Sequence, residues 1–105
     1  MTHRITVTEA FAWRDYRLLV SYTPNYWPTL ADQDVPGAYL EVKALDPPDG
    51  PLPISATGRR HIWTHTDVVA EAGGPVHFAR EWLDAAAEWP EWRRAQEESR
   101  QLTLL

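Results

Sequence analysis

Hydrophobic and polar positions alternate through the first half of the chain and change to helical spacing in the second. Over residues 3–13, His3, Ile5, Val7, Phe11 and Trp13 share one parity, while Arg4, Thr6 and Thr8 take the other. A period of two predicts a strand with one buried face. The dipeptide "RD" (14–15) predicts a turn into a second strand, "YRLLVSY" (16–22), whose inner face is Tyr16, Leu18, Val20 and Tyr22. Two such segments so close together predict an antiparallel hairpin, although "RD" lacks the glycine of the commonest tight turns. "TPNYWPTLADQDVPG" (23–37) carries three prolines and reads as a loop pinned by Tyr26 and Trp27. "AYLEVKAL" (38–45) is a third strand, with Ala38, Leu40, Val42 and Ala44 on one face and Glu41 and Lys43 on the other. After the turn "DPPDGP" (46–51), a short edge strand is expected around 60–64.

From Thr66 onward the signals are helical. Thr66 is placed to cap a short helix over 67–72, closed by Gly73 and Gly74, and Pro75 suits the first turn of the next. In that helix Phe78, Ala79, Trp82, Leu83, Ala86 and Trp89 recur at three- and four-residue spacing and predict a buried stripe. Pro90 bends or restarts the helix, and a final segment runs over 91–100. The expectation is an α+β fold: a small antiparallel sheet of three to four strands followed by two to three helices packed on one face. Residues 1–100 form the single domain, and 101–105 an apolar C-terminal tail.

The 105 residues suit one domain, and 44% hydrophobic with 24% charged residues excludes wholesale disorder. Without cysteine there is no disulfide framework, thiol nucleophile or thiolate metal site, and a reducing, cytoplasmic setting fits. The opening "MTHRITVTEAFAW" has no apolar core of a signal peptide, and no run is long enough to span a membrane. With a net charge of −5 and only "TGRRH" (57–61) locally positive, direct nucleic-acid binding is disfavoured. Six tryptophans stand out in so short a chain, suiting a core or a binding hot spot.

Four groups of residues carry candidate chemistry. His61, His65, Asp67 and His77 are metal-ligand types, but in an extended segment His61 and His65 would stand about 13 Å apart, too far for one ion. Hydrogen-bonded or surface histidines are the simpler account. Along the second helix Glu81, Asp84, Glu88 and Glu91 fall within a narrow stripe at 100° per residue. Such a row can imitate phosphates and fill a basic groove, or simply be the solvated side of an amphipathic helix. Arg59 and Arg60 in a glycine-containing loop can clamp an anion, or balance the acidic surface. No serine lies in a nucleophile-elbow context and no glycine loop cradles phosphate, so no catalytic residue and no cofactor are expected.

"PLPISATGRRHIW" followed by "GGPVHFAREWLDAAAEWPEW" resembles small proteins of proteobacterial plasmids and integrated elements, over roughly residues 38–100. The resemblance implies a mobile-element setting and carries no functional residue. The terminal "QLTLL" resembles the short peptide that holds the bacterial sliding clamp, with Gln101, Leu102 and Leu104 matching and Leu105 where phenylalanine is usual. These leucines can instead fold back onto the domain or Trp92, or mediate self-association. The expected function is a non-enzymatic, protein-binding accessory or inhibitory factor of a mobile element. In its anti-CRISPR-like form, the acidic stripe blocks a nucleic-acid-binding enzyme. The alternatives are a clamp-tethered replication or repair factor and a small metal-dependent enzyme.

Overall fold

The computed structural model describes the backbone of residues 5–27 and 37–104, and side chains for 5–26 and 37–98. Four strands are followed by three helices: β1 (Val7–Trp13), β2 (Tyr16–Trp27), β3 (Gly37–Asp46), β4 (Arg59–His65), α1 (Thr66–Glu71), α2 (Pro75–Ala87) and α3 (Pro90–Leu104). The strands form one antiparallel meander in the order β1-β2-β3-β4. Helices cover one face of it, which is the predicted α+β architecture. Among the described residues no helix is long and apolar enough to cross a membrane.

Alternation decides which side chains go under the helices. Leu40 pairs with Tyr22 on one side and Ile62 on the other; Val42 pairs with Val20. With Phe11, Trp13, Leu18, Ala38 and Ala44 they line the covered face, where α1 contributes Val69 and α2 contributes Ala79, Leu83 and Ala87. Leu18, Leu40, Leu83, Val20, Val42 and Val69 are fully buried, each contributing about 1.5–3 kcal/mol by leaving water. The small residues on both partners, Ala38 and Ala44 on β3 and Ala79, Ala86 and Ala87 on α2, let helix and sheet approach closely.

The end of β1 is clasped by α2. Trp13 stacks on Tyr16 across the hairpin, and its Nε1–H donates to Asp84 at 2.9 Å. Arg80 donates to the Ala12 carbonyl at 3.3 Å and lies over the Phe11 ring. The two-residue turn sets Arg14 at φ 52, a left-handed conformation that costs a side-chain-bearing residue about 1–3 kcal/mol. Its guanidinium is 4.7 Å from the Trp13 ring centroid, a cation–π contact that offsets part of that cost.

Several local expectations are corrected. β1 begins at Val7, and Ile5 and Val7 are 67% and 50% exposed rather than on a buried face. The segment 23–27 is not loop: β2 continues to Trp27 through a register irregularity with Asn25 at φ 54. Thr66 does not cap α1. The N-cap is His65, and the Thr66 hydroxyl instead accepts from the Asn25 backbone N–H at 3.0 Å, tying α1 to the extended β2. Trp89 is 57% exposed rather than in the buried stripe, because α2 stops at Ala87 and Pro90 starts α3.

The connection from β3 to β4 is a compact clasp. Leu52 and Ser55 exchange backbone hydrogen bonds, the Ser55 hydroxyl donates to the Arg59 carbonyl at 2.7 Å, and the Tyr16 hydroxyl donates to the Pro51 carbonyl at 2.7 Å. Gly58 closes it at φ +78, where an added Cβ would stand 2.6 Å from the Asp49 carbonyl carbon. Only glycine fits there.

Candidate functional site

Among the described residues no helix covers the face of the sheet turned away from α1–α3, although Thr23 on it is buried and bonded to the Thr6 hydroxyl. Side chains there follow from register. One row runs Thr23, Tyr39, Trp63; the next Ser21, Glu41, His61; the third Leu19, Lys43, Arg59. On β1 the same face carries Thr8, Ala10 and Ala12, all exposed and short. The surface therefore has short side chains along β1, Ser21, Leu19 and the exposed Arg17 on β2, and an aromatic patch on β3 and β4.

Among the described residues, four rings meet in that patch. Tyr39 lies 4.8 Å from Trp63 at 60°, Trp63 lies 4.8 Å from Tyr26 in an edge-to-face contact, and Tyr26 and Tyr39 are 5.9 Å apart. His61 stacks on Tyr39 at 5.7 Å and 28°. Such pairs are worth about 0.5–1.5 kcal/mol each beyond area burial, so the rings hold one another in place. Trp63 nonetheless remains 52% exposed, a large apolar area left in water. Tyr26 reaches the patch because β2 runs past its predicted end.

Electrostatics sharpen the picture. Lys43 and Arg59 are direct cross-strand neighbours, an arrangement of like charges that destabilises a sheet. Among the described residues neither has a carboxylate at ion-pair distance. Arg59 also borders a depression with Asp49 and Thr57. The Tyr39 phenol is held above its ordinary value, first by burial, then by the Glu41 carboxylate and Tyr26, with Arg59 opposing. Tyr39 is therefore a neutral ring and hydroxyl at physiological pH.

The residues singled out in the sequence fall elsewhere or are divided. Arg59 and Arg60 are not in a loop but open β4, and consecutive strand residues project to opposite faces. Arg59 joins Lys43 on the open face, while Arg60 takes the other side, so the two cannot grip one anion as a pair. Glu81 and Asp84 on α2 and Glu88 at its C-cap are exposed, but Asp84 accepts from Trp13 and Glu88 is ion-paired with Arg93. Glu91 lies beyond Pro90 in the first turn of α3, beside a depression formed by Pro51, Pro53, Trp89 and Trp92. Two of the four carboxylates, Asp84 and Glu88, are thus engaged within the chain.

His61 and His65 share the open face of β4, about 13 Å apart on an extended strand. Asp67 is on α1 and His77 on α2. Among the described residues no group of three or more His, Asp or Glu is placed to hold a metal ion. The α3 backbone is helical through Leu104, whereas the Gln101, Leu102 and Leu104 side chains and all of Leu105 lie outside the described residues.

The sequence offered the tryptophans only collectively as core or hot spot, and Tyr26 only as a loop pin; it did not single out Tyr39 or group these three rings. The signal was available in part: the alternation that buries Leu40 and Val42 sends Tyr39 and Lys43 outward. Trp63 becomes their neighbour only once the β3–β4 register is known.

A protein-family model described as the KlcB third domain matches residues 6–92, the stretch from the start of the sheet to the first turn of α3. No curated protein and no solved structure matches the chain.

Proposed function

The chain belongs to the KlcB third-domain family, and we propose that it is a non-catalytic binding module serving a mobile element as an accessory or inhibitory factor. The observation that carries this reading is the sheet face that no described helix covers, where Trp63 is half exposed within a mutually braced ring cluster and Lys43 and Arg59 lie side by side. Aromatic and arginine side chains on an accessible surface are the residue types that dominate binding hot spots. A family described as a domain supports the module reading, and the resemblance of residues 38–100 to plasmid proteins supports the mobile-element setting. The internal partners of Asp84 and Glu88 make the acidic side the weaker candidate for the main contact.

The test is capture of macromolecules from bacterial lysate by three immobilised chains: wild type, Trp63→Ala, and Glu81→Lys with Glu88→Lys. The expected result is a defined bound species that is lost with Trp63→Ala and kept with the helix variant. A species retained equally by the Trp63 variant, or lost only with the helix variant, would refute the sheet face as the contact.

A further inference from the structure

We propose that the open sheet face binds single-stranded nucleic acid, with bases stacked on Trp63 and the Tyr39–His61 pair and the phosphate backbone passing Lys43 and Arg59. This rests on the module reading above and names its ligand.

The first argument is the match of two chemistries on one surface. Bases present π-faces and phosphates present negative charge. A surface for single strands therefore needs exposed rings beside cations. Here Trp63 supplies accessible ring area, and Tyr39 and His61 form a near-parallel stack next to it. Lys43 lies four residues along β3 from Tyr39, about 13 Å at strand spacing, a span of a few nucleotides. Among the described residues neither cation is ion-paired with a carboxylate; Glu41 lies on the adjacent row and Asp49 beside Arg59. Their juxtaposition across the sheet is unfavourable until an anion lies between them.

Shape is the second argument. The four strands are roughly 14 Å across at the usual interstrand spacing, and the β1–β2 side carries Thr8, Ala10, Ser21 and Leu19, with the exposed Arg17 at its end. A flexible strand can lie on such a surface with its bases turned toward the rings. A duplex cannot offer stacked-in bases to a flat surface, and among the described residues no helix or ribbon rises from this face to enter a groove.

Competing occupants use only part of the site. A proline-rich peptide needs slots between rings, and these rings close on one another at 4.8 Å. An acidic peptide would satisfy Lys43 and Arg59 but leave Trp63 idle.

The net charge of −5 is a sum over the molecule. Eight of its fifteen acids belong to the helical half: Asp67, Glu71, Glu81, Asp84, Glu91, Glu97 and Glu98 on helices and Glu88 at the C-cap of α2. Across the three central rows of the open face, Glu41 is the carboxylate, and it lies opposite His61. Local charge rather than total charge governs a contact within a Debye length of about 10 Å.

Fluorescence anisotropy with labelled 15-residue oligo-dT, oligo-U and a duplex of mixed sequence, at low and physiological salt, tests this on the intact chain. Wild type should bind at least one single strand about tenfold or more tightly than duplex, with affinity falling as salt rises. Trp63→Ala should lose about tenfold, the scale of one stacked base. Lys43→Glu with Arg59→Glu should lose more and flatten the salt dependence. Arg93→Glu with Arg94→Glu, which changes the net charge equally on α3, should stay within about threefold of wild type. Circular dichroism and melting temperature confirm that each variant is folded. Absence of single-strand binding, equal binding of duplex, or wild-type affinity in folded Trp63→Ala would overturn the proposal. If the oligonucleotides fail while Trp63-dependent capture persists in nuclease-treated lysate, the ligand is a protein and the module reading alone survives.

Discussion

The two faces of strand β3 are built from the same ten residues and have opposite fates. Inward, Ala38, Leu40, Val42 and Ala44 are at most 1% exposed. Outward, Tyr39, Glu41, Lys43 and Leu45 are only half-buried. The inner set is aliphatic, matched in size to the alanine-rich surface of α2, and carries no group able to contact anything but the core. The outer set has a ring, an acid and a base on successive positions, and nothing among the described helices is folded over it. One face therefore holds the core together, and among the described residues no helix covers the other. Substitutions on the two faces should separate cleanly, stability from binding.

The largest effect should come from the inner face. Leu40→Ala removes a side chain of 0% exposure at the centre of the sheet, and should cost about 2–5 kcal/mol in chemical denaturation. Whatever fraction stays folded should still bind oligonucleotide with unchanged affinity. If that affinity collapsed in molecules shown to be folded, the two faces would not be independent.

Gly58→Ala probes the joint between the faces. Its left-handed backbone and the 2.6 Å approach to the Asp49 carbonyl carbon leave no room for a methyl group. The strain should cost about 1–3 kcal/mol. Because the Gly58 carbonyl accepts from the Ala44 N–H at 2.7 Å just before Arg59, the start of β4 should shift as well. Both melting temperature and oligonucleotide affinity are expected to fall, unlike with either single-face variant.

Trp63→Ala belongs to the outer face alone. It removes ring contacts with Tyr39 and Tyr26 and should lower stability by only about 1 kcal/mol, well below the Leu40 effect. A loss as large as that of Leu40→Ala would mean the aromatic patch is part of the core.

This division also explains what was legible in the sequence. The inner face could be read directly, because Leu18, Val20, Leu40 and Val42 obey a period of two, and Ala79, Leu83 and Ala86 a helical one. Gly73, Gly74 and Pro75 likewise mark the α1–α2 boundary where it falls. Failures came where a long-range partner overrides a local signal. Pro24 argued for a loop, yet the Asn25–Thr66 hydrogen bonds and pairing of Trp27 with Gly37 carry β2 onward. Gly58 suggested a loop holding two arginines, yet pairing with β3 makes both strand residues. The ring cluster was least legible of all, since Tyr26, Tyr39 and Trp63 come from three strands and meet only through register.

The smallest predicted effect is a titration that again tells the faces apart. Burial raises the phenols of Tyr16, Tyr22 and Tyr39 above the ordinary 10.0; the Asp15 carboxylate adds to the first, and a hydrogen bond with Thr66 partly opposes the second. A folded phenol with a raised value keeps its proton after the unfolded one has lost it, so between the two values the native state binds more protons. Stability from these groups is thus fully present below pH 10.0 and is lost as pH rises through the folded values. Denaturation midpoints should therefore decline from about pH 10 upward. At pH 7, Tyr16→Phe should cost about 1 kcal/mol, because that hydroxyl donates to the Pro51 carbonyl. Tyr39→Phe keeps the ring stack and should be nearly neutral at pH 7, while making the alkaline decline shallower. Since stacking needs only the ring, oligonucleotide affinity should be unchanged in Tyr39→Phe. A tenfold loss there would mean that the hydroxyl, not the π-face, makes the contact, and would shift the weight of binding from stacking to hydrogen bonding.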